Sequence, residues 1–150
     1  MPKFSQTGTE KFDYWLVDGV KTFSKLPANS IPGIAVDMPI RLQLGDGRFG
    51  STHITARHGK WLEQHQPGGC VATFVHRKLS TSGKILVLEE ADKIGLALTL
   101  TPQAAIILRK VTDFFSITTI YFKKGGLVGE EVGRYKGYEW ATSPYREMRR

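Results

Sequence analysis

The spacing of hydrophobic residues changes near the middle of the chain. In the N-terminal half, apolar residues recur at helical intervals and predict a helix over residues 10–25. A second helix is predicted over 53–65, with Ser51 or Thr52 as its N-cap. Residues 71–76 fit either a short helix or a strand, and we favour the helix.

Later segments are rich in β-branched and apolar residues and are separated by short polar breaks. These segments cover residues 84–89, 94–100, 104–111 and 115–122. Such short breaks allow only hairpins between neighbouring strands, which build an antiparallel sheet. Weaker strands are predicted at 40–44 and 134–140. The predicted fold is therefore α+β, with N-terminal helices packed on an antiparallel sheet of four or more strands.

The composition is that of a folded domain with a basic surface. The 150 residues fit a single domain over 1–150, and 41% of them are hydrophobic. Lys and Arg number 21 against 14 acidic residues, which favours polyanionic partners such as nucleic acid, an anionic membrane surface or an acidic protein. Residues 123–150 form a basic C-terminal extension with three Tyr and one Trp, a mixture that suits single-stranded nucleic acid, and packing in a satellite core explains these aromatic residues equally well.

The cysteine content and the hydropathy pattern indicate the compartment. Cys70 is the single cysteine, which excludes an intrachain disulfide and a thiolate zinc cluster, and we expect it to be a buried structural thiol. No apolar stretch is continuous enough for a signal peptide or a membrane span. We therefore expect a protein with no membrane partner, in the cytoplasm or delivered into a target-cell cytoplasm as part of a larger carrier.

The segment His53-Ile-Thr-Ala-Arg57-His58 is the strongest candidate for chemistry. Histidine moves protons near neutral pH, and arginine binds phosphate through two parallel hydrogen bonds. On an ideal helix His53 and Arg57 share a face, whereas His58 is rotated from His53 by roughly 140°. An ordinary surface or capping histidine pair is the alternative. The histidine spacing is not that of a zinc site, so we predict no metal and no cofactor.

The segment 116–121 is a second candidate, because it combines hydroxyl groups and a phenol on one strand. Strand alternation predicts two faces: Ser116, Thr118 and Ile120 on one, and Ile117, Thr119 and Tyr121 on the other. Simple β-propensity also explains these residues. Arg109 and Lys110 lie near the end of the preceding predicted strand, on opposite faces, so only one of them can bind substrate at a given site. We favour Arg109 for that role; the alternative is that both are solvated residues at a strand end.

These motifs, in this order, resemble the barnase/EndoU/colicin/RelE-like (BECR) nucleases. Members of that superfamily combine N-terminal helices with a four-stranded antiparallel sheet, and many carry a His-Ile-x-x-(Arg/Lys)-His helix and an apolar-Thr-x-Tyr strand. Residues 53–58 and 118–121 match these two patterns, and the resemblance spans about residues 40–122. Phe122 follows where the family has proline. Because the chain also continues to Arg150, Thr142-Ser143 is an alternative source of the hydroxyl.

The resemblance implies a metal-independent endoribonuclease, of a bacterial toxin or phage-borne type, that cleaves RNA through attack by the 2′-OH. Its partners would be RNA, with tRNA among the candidates, and an acidic immunity protein or antitoxin. The implied catalytic residues are His53, Arg57, His58, Thr119 and Tyr121. Substrate binding is assigned to Arg109, Lys110 and Thr118. Two alternatives remain, a non-catalytic nucleic-acid-binding module and a phage or bacterial structural assembly protein.

Overall fold

The computed structural model describes residues 2–66, 68, 70–88, 96–101, 104–122 and 129–137. Its elements in chain order are β1 (Phe4–Gln6), β2 (Trp15–Val17), β3 (Thr22–Leu26), β4 (Met38–Arg41), α1 (Gly50–His65), α2 (Val71–Lys78), β5 (Gly83–Leu88), β6 (Leu96–Thr101), β7 (Ala104–Val111), β8 (Phe114–Phe122) and β9 (Gly129–Tyr135).

The described part of the chain is mostly β-structure, so the predicted fold class is wrong. A two-stranded sheet pairs β1 with β2, and a seven-stranded sheet has the order β3-β4-β8-β7-β6-β5-β9. The β4–β8 pair is parallel and the other pairs are antiparallel, which makes the sheet mixed rather than antiparallel. Because β4 and β8 are joined through two helices and three strands, no hairpin constrains them to run antiparallel.

The predicted helix over 10–25 is also wrong, because this segment forms β2 and β3. Between them Asp18 and Gly19 adopt positive φ angles of 50° and 82°, a left-handed turn that a helix cannot contain. The helical spacing of apolar residues here is not a core face, since Phe12 is 63% and Val20 52% exposed. Phe23, in contrast, is fully buried on β3.

The four predicted strands between 84 and 122 are confirmed with shifted ends, as β5 to β8. The weaker strands predicted at 40–44 and 134–140 are mostly misplaced, because β4 and β9 share two residues with each of them, and residues 138–140 lie outside the described part of the chain. Helices α1 and α2 are both present, but the predicted N-cap of α1 is wrong. The cap residue is Phe49, and the amides of Ser51 and Thr52 donate to backbone carbonyls of the preceding loop at 3.1 and 2.8 Å. Cys70 is half-buried at the N-cap of α2 rather than buried.

The seven-stranded sheet curls until its two edge strands meet. The hydroxyl of Tyr135 on β9 is hydrogen-bonded to the hydroxyl of Ser24 on β3. The same hydroxyl donates to the carbonyl of Leu79 at the end of α2. The main core cluster includes residues of the sheet and of both helices, such as Ile54 of α1 and Phe74 of α2. The sheet therefore encloses one face of each helix, and the burial of that apolar surface stabilises the curled arrangement.

A β-bulge in β8 changes which side chains share a face. Leu108 pairs with Ile117 and Ile107 pairs with Thr119, so Thr118 is the extra residue. As a result Ile117 and Ile120 both lie in the main core. The predicted alternation, with Ile117 and Ile120 on opposite faces, is therefore wrong beyond Ile117.

Candidate functional site

Helix α1 lies against β8, so the two motifs of the sequence come together in the structure. Strand β4 pairs with β8 only at Ile40–Phe115 and Arg41–Ser116 among the described residues. Beyond Arg41 the chain turns through residues 42–49, and α1 follows. The helix thus packs next to the part of β8 that has no described pairing with β4.

His58 occupies the point where the helix and the strand meet. Its backbone is non-helical (φ −127°, ψ 19°), so α1 kinks one residue before Gly59. The ring is half-buried and is hydrogen-bonded to the backbone carbonyl of Ile120 on β8. Because a carbonyl only accepts, the ring nitrogen in this bond carries the proton, and in the neutral ring the other nitrogen is a proton acceptor.

The surroundings of His58 favour its neutral form. Burial lowers its pKa from the ordinary value of 6.5, and the positive charges of Arg57 and His53 lower it further. The hydrogen bond to Ile120 acts in the opposite direction, but the pKa remains lowered. His58 is therefore mostly neutral at pH 7 and able to accept a proton. Arg57 is the sequence neighbour of His58, and both Arg57 and His53 are near enough to influence its pKa.

Thr119 shares a hydrogen-bond acceptor with His58. Its hydroxyl donates to the carbonyl oxygen of Ile120 at 3.3 Å. Because the Thr119 hydroxyl and the His58 ring both donate to the carbonyl oxygen of Ile120, their donor atoms lie no more than about 7 Å apart. Tyr121, two residues further along β8, packs instead against a second, smaller cluster formed by Leu86, Ala97, Ala105 and Ile107. The structure therefore brings Thr119 close to His58 and places the Tyr121 ring against the second cluster.

His53 connects α1 to the loop that precedes it. Its Nδ1 lies 2.9 Å from the carbonyl oxygen of Gly47, to which it donates. Arg57, one turn further along the helix, is exposed. This arrangement couples the start of α1 to the position of the 45–49 loop.

That loop forms one wall of a cavity of about 500 Å³, here called the basic cavity. Four cations line it, against one carboxylate: Lys11, Arg48, Arg109 and Lys110, with Asp46. Thr118 also lines it, so the three residues predicted to bind substrate lie around one cavity. Both Arg109 and Lys110 contribute, although strand alternation predicted a role for only one of them.

Aromatic rings form another part of the basic cavity. The rings of Phe12 and Phe49 have centroids 5.9 Å apart and are tilted by 31°. The ammonium group of Lys11 lies 5.1 Å from the centroid of the Phe12 ring. Gln43 and Ser116 line the same cavity and are almost fully buried, so they form its floor.

The floor is fixed by hydrogen bonds. The Ser116 hydroxyl donates to Oε1 of Gln43 at 2.8 Å, and Nε2 of Gln43 donates to the carbonyl of Phe12 at 3.3 Å. Sequence reasoning missed Phe12, which was placed on a helix, and also Gln43 and the loop residues Arg48 and Phe49. The glycines at 45, 47 and 50 are typical of a loop, but no pattern in the sequence indicates that β7 and β8 lie beside it.

Several predictions fall outside the described residues or are not tested by them. Thr142-Ser143 and most of the 123–150 extension lie outside, and Tyr135 of that extension is a core residue.

Among the described residues, no three His, Cys, Asp or Glu side chains are grouped so that they could hold a metal ion. None of the helices in that same part of the chain has the length and apolar character needed to cross a membrane.

Comparison with known proteins finds no match: no family model, no curated protein and no solved structure is significantly similar to this chain.

Proposed function

We propose that this protein binds RNA and cleaves it without a metal ion, with His58 as the proton carrier. One observation carries the proposal. A histidine with a lowered pKa is held on the backbone of β8, beside Arg57 and His53 and close to the hydroxyl of Thr119. A proton acceptor, a guanidinium and a hydroxyl are the groups that attack by a ribose 2′-OH on its own phosphate requires.

The first step transfers a proton from the 2′-OH to the neutral ring of His58. The 2′ oxygen then forms a bond to the adjacent phosphorus, and the bond from phosphorus to the 5′ oxygen breaks. Arg57 and Thr119 stabilise the additional negative charge on the phosphoryl oxygens. His53, when protonated, donates a proton to the departing 5′ oxygen. The products are a 2′,3′-cyclic phosphate and a 5′-hydroxyl, and exchange with water restores both histidines.

The roles of the two histidines differ because their surroundings differ. His58 is half-buried and its pKa is lowered, which suits a base at neutral pH. The hydrogen bond to Ile120 also fixes the orientation of its ring. His53 lies at the start of α1 and donates from Nδ1 to Gly47, so Nε2 is the nitrogen that would exchange a proton with RNA.

A non-catalytic RNA-binding module is the second candidate. The basic cavity favours it, because cations beside an exposed phenylalanine suit single-stranded nucleic acid whether or not a strand is cut. An assay for RNA cleavage distinguishes this module from the proposed nuclease.

An acidic immunity protein or antitoxin, implied by the family resemblance, remains a prediction.

The test is incubation of the purified protein with single-stranded RNA and with tRNA, in excess EDTA. We expect fragments that end in a cyclic phosphate, and an identical strand with a 2′-deoxy sugar at the cut position should survive. His58→Ala should slow cleavage by about 10²–10⁴-fold, the usual contribution of a positioned acid or base.

His65→Ala is the matched control, because His65 is an exposed histidine near the end of the same helix and bonds locally to the Trp61 carbonyl. This variant should cleave at the wild-type rate. Absence of cleavage by the wild type, or equal rates for the wild type and His58→Ala, would reject the proposed reaction.

A further inference from the structure

We propose that the basic cavity is a nucleotide-binding subsite, in which a base stacks on Phe12 and Arg109 and Lys110 bind a flanking phosphate. The proposal rests on the proposed function, since it names where single-stranded RNA lies relative to His58. Neither Phe12 nor Phe49 belongs to the groups that perform the chemistry, so the subsite is a binding element separate from them.

The charge of the basic cavity is not neutralised within the described part of the protein. Its four cations face one carboxylate, Asp46, whose Oδ1 accepts a hydrogen bond from the backbone amide of Arg48 at 2.8 Å. The ion pairs of the described residues are Lys25–Asp37 and Lys84–Glu131, and none of the four cavity cations takes part in them. An anionic ligand would therefore find several cations without an acidic partner, and phosphate is bound well by arginine.

The aromatic wall favours a planar ligand. Phe12 is 63% exposed, and it is one of the large hydrophobic residues with the greatest exposure among those described. Its ring lies beside that of Phe49 and borders the basic cavity, so a nucleobase that enters can stack on it. An acidic peptide would use the cations equally well but has no flat group that requires an exposed ring.

The floor adds groups that can contact the edge of a base. The described hydrogen bonds use one N–H of the Gln43 amide and one lone pair of its oxygen. A side-chain amide has two of each, so Gln43 keeps both donor and acceptor capacity. Its bonds to Ser116 and Phe12 hold that amide in one orientation, which is what recognition of a base edge needs.

The basic cavity is next to the proposed reaction site. Thr118 lines it, and the neighbouring Thr119 shares the Ile120 carbonyl with His58. The loop that forms its wall includes Gly47, the acceptor for His53. A nucleotide in the cavity therefore occupies the position adjacent to the phosphate that is cut.

The experiment measures binding of a fluorescent, single-stranded 2′-O-methyl oligonucleotide to the full chain by anisotropy. This probe has no free 2′-OH and is not cleaved by the proposed mechanism, so binding is read independently of chemistry. Phe12→Ala should weaken binding about 5- to 150-fold, the range for loss of one stacked base, and Phe12→Tyr should restore most of it. Arg109→Ala should weaken binding and reduce the slope of log affinity against log salt by about 1.

Two matched controls use exposed residues distant in sequence from the cavity loop and from β7. Val36 has the same exposed fraction as Phe12, 63%, but no ring, so Val36→Ala removes exposed apolar surface without removing a stacking group and should bind as the wild type does. Lys136 is an exposed cation just after β9 that does not line the basic cavity, so Lys136→Ala should keep the wild-type salt slope. Equal melting temperatures would show that each variant is folded.

The outcomes separate this proposal from the reaction proposed above. If the wild type cleaves RNA but Phe12→Ala and Arg109→Ala bind the probe as the wild type does, the subsite is wrong and the reaction stands. If the wild type cleaves no RNA but binding depends on Phe12 and Arg109, the subsite stands and the reaction is wrong. A wild type that binds oligoglutamate but not the oligonucleotide overturns the subsite in favour of an acidic protein partner.

Discussion

Gly45 begins the loop that carries one wall of the basic cavity, and its replacement by alanine tests how rigidly that loop is held. Gly45 has φ +77°, in the left-handed region that residues with a Cβ rarely adopt. A Cβ at this position would lie 1.8 Å from the carbonyl oxygen of Phe49 and 2.6 Å from its carbonyl carbon. Both contacts are with backbone, so no side-chain rotation can relieve them.

The magnitude follows from two effects. The left-handed conformation costs an alanine about 1–2 kcal/mol. Relief of the contact requires the Phe49 carbonyl to move, and that carbonyl accepts the amide of Asp46 at 3.0 Å, so a hydrogen bond of about 1 kcal/mol is weakened. We expect Gly45→Ala to lower the free energy of unfolding by about 2–3 kcal/mol. RNA binding should also weaken, since Arg48 and Phe49 belong to the same loop.

Two other glycines separate these effects. Gly33 has φ +90° and no atom within 4 Å of its ideal Cβ, so Gly33→Ala should show the backbone cost alone, about 1–2 kcal/mol. Gly47 lies in the same loop as Gly45, has no atom within 4 Å and is outside the left-handed region. Gly47→Ala should be neutral or stabilise by up to about 1 kcal/mol, because alanine restricts the unfolded chain.

The assay is urea unfolding at pH 7.5, with the free energy obtained by linear extrapolation and the slope compared between variants. The expected order of stability is Gly47→Ala, then Gly33→Ala, then Gly45→Ala. A Gly45→Ala protein as stable as Gly33→Ala would show that the contact with Phe49 has no energetic effect. One as stable as Gly47→Ala would refute the geometry of the loop altogether.

Three further predictions concern the buried hydroxyl and the histidines. Tyr135→Phe keeps the ring but removes the bonds to Ser24 and to a backbone carbonyl, and should cost about 1–3 kcal/mol in urea unfolding; a cost below about 0.5 kcal/mol would contradict the contact between the edge strands. Because the pKa of His58 is lowered, kcat/KM for RNA cleavage should rise with pH through an inflection below 6.5. Arg57→Gln removes a positive charge that lowers this pKa, so it should move the inflection to higher pH. An unmoved inflection would argue against the proximity of Arg57 and His58. Burial also lowers the pKa of His76, so the unfolded chain binds more protons than the folded protein as the pH falls below 6.5. The contribution of neutral His76 to the free energy of unfolding is complete above that pH and is lost as the pH drops towards the folded pKa. Urea unfolding at several pH values should therefore show a smaller loss of stability in His76→Gln than in the wild type.

Local patterns predicted the elements whose stability is mostly local. The β-branched runs that became β5 to β8 and the segments that became α1 and α2 were recognised, because propensity and nearby turns act over a few residues. The helix predicted over 10–25 failed for the converse reason. Its apolar spacing fits a helix equally well, but residues such as Phe23 are buried by contacts with distant parts of the chain, and a left-handed turn at Asp18-Gly19 separates two strands.

The candidate site was predictable in its residue types but not in its full membership. The histidines and Arg57 stood out as chemistry-bearing residues, and Arg109, Lys110 and Thr118 as substrate-binding ones. Phe12 and Gln43 had no such signal, since they reach the basic cavity only through the arrangement of loops around β7 and β8.

The amino-acid order alone was enough to predict a histidine-containing helix motif and a hydroxyl-bearing strand in the same chain, because each depends on residues close in sequence. Their meeting depends on tertiary structure. Strand β4 leaves β8 after Arg41, α1 packs at that position, and the kink at His58 directs its ring to the Ile120 carbonyl. Register, the bulge at Thr118 and the curling of the sheet are set by the burial of apolar residues far apart in sequence, a constraint that no local pattern contains.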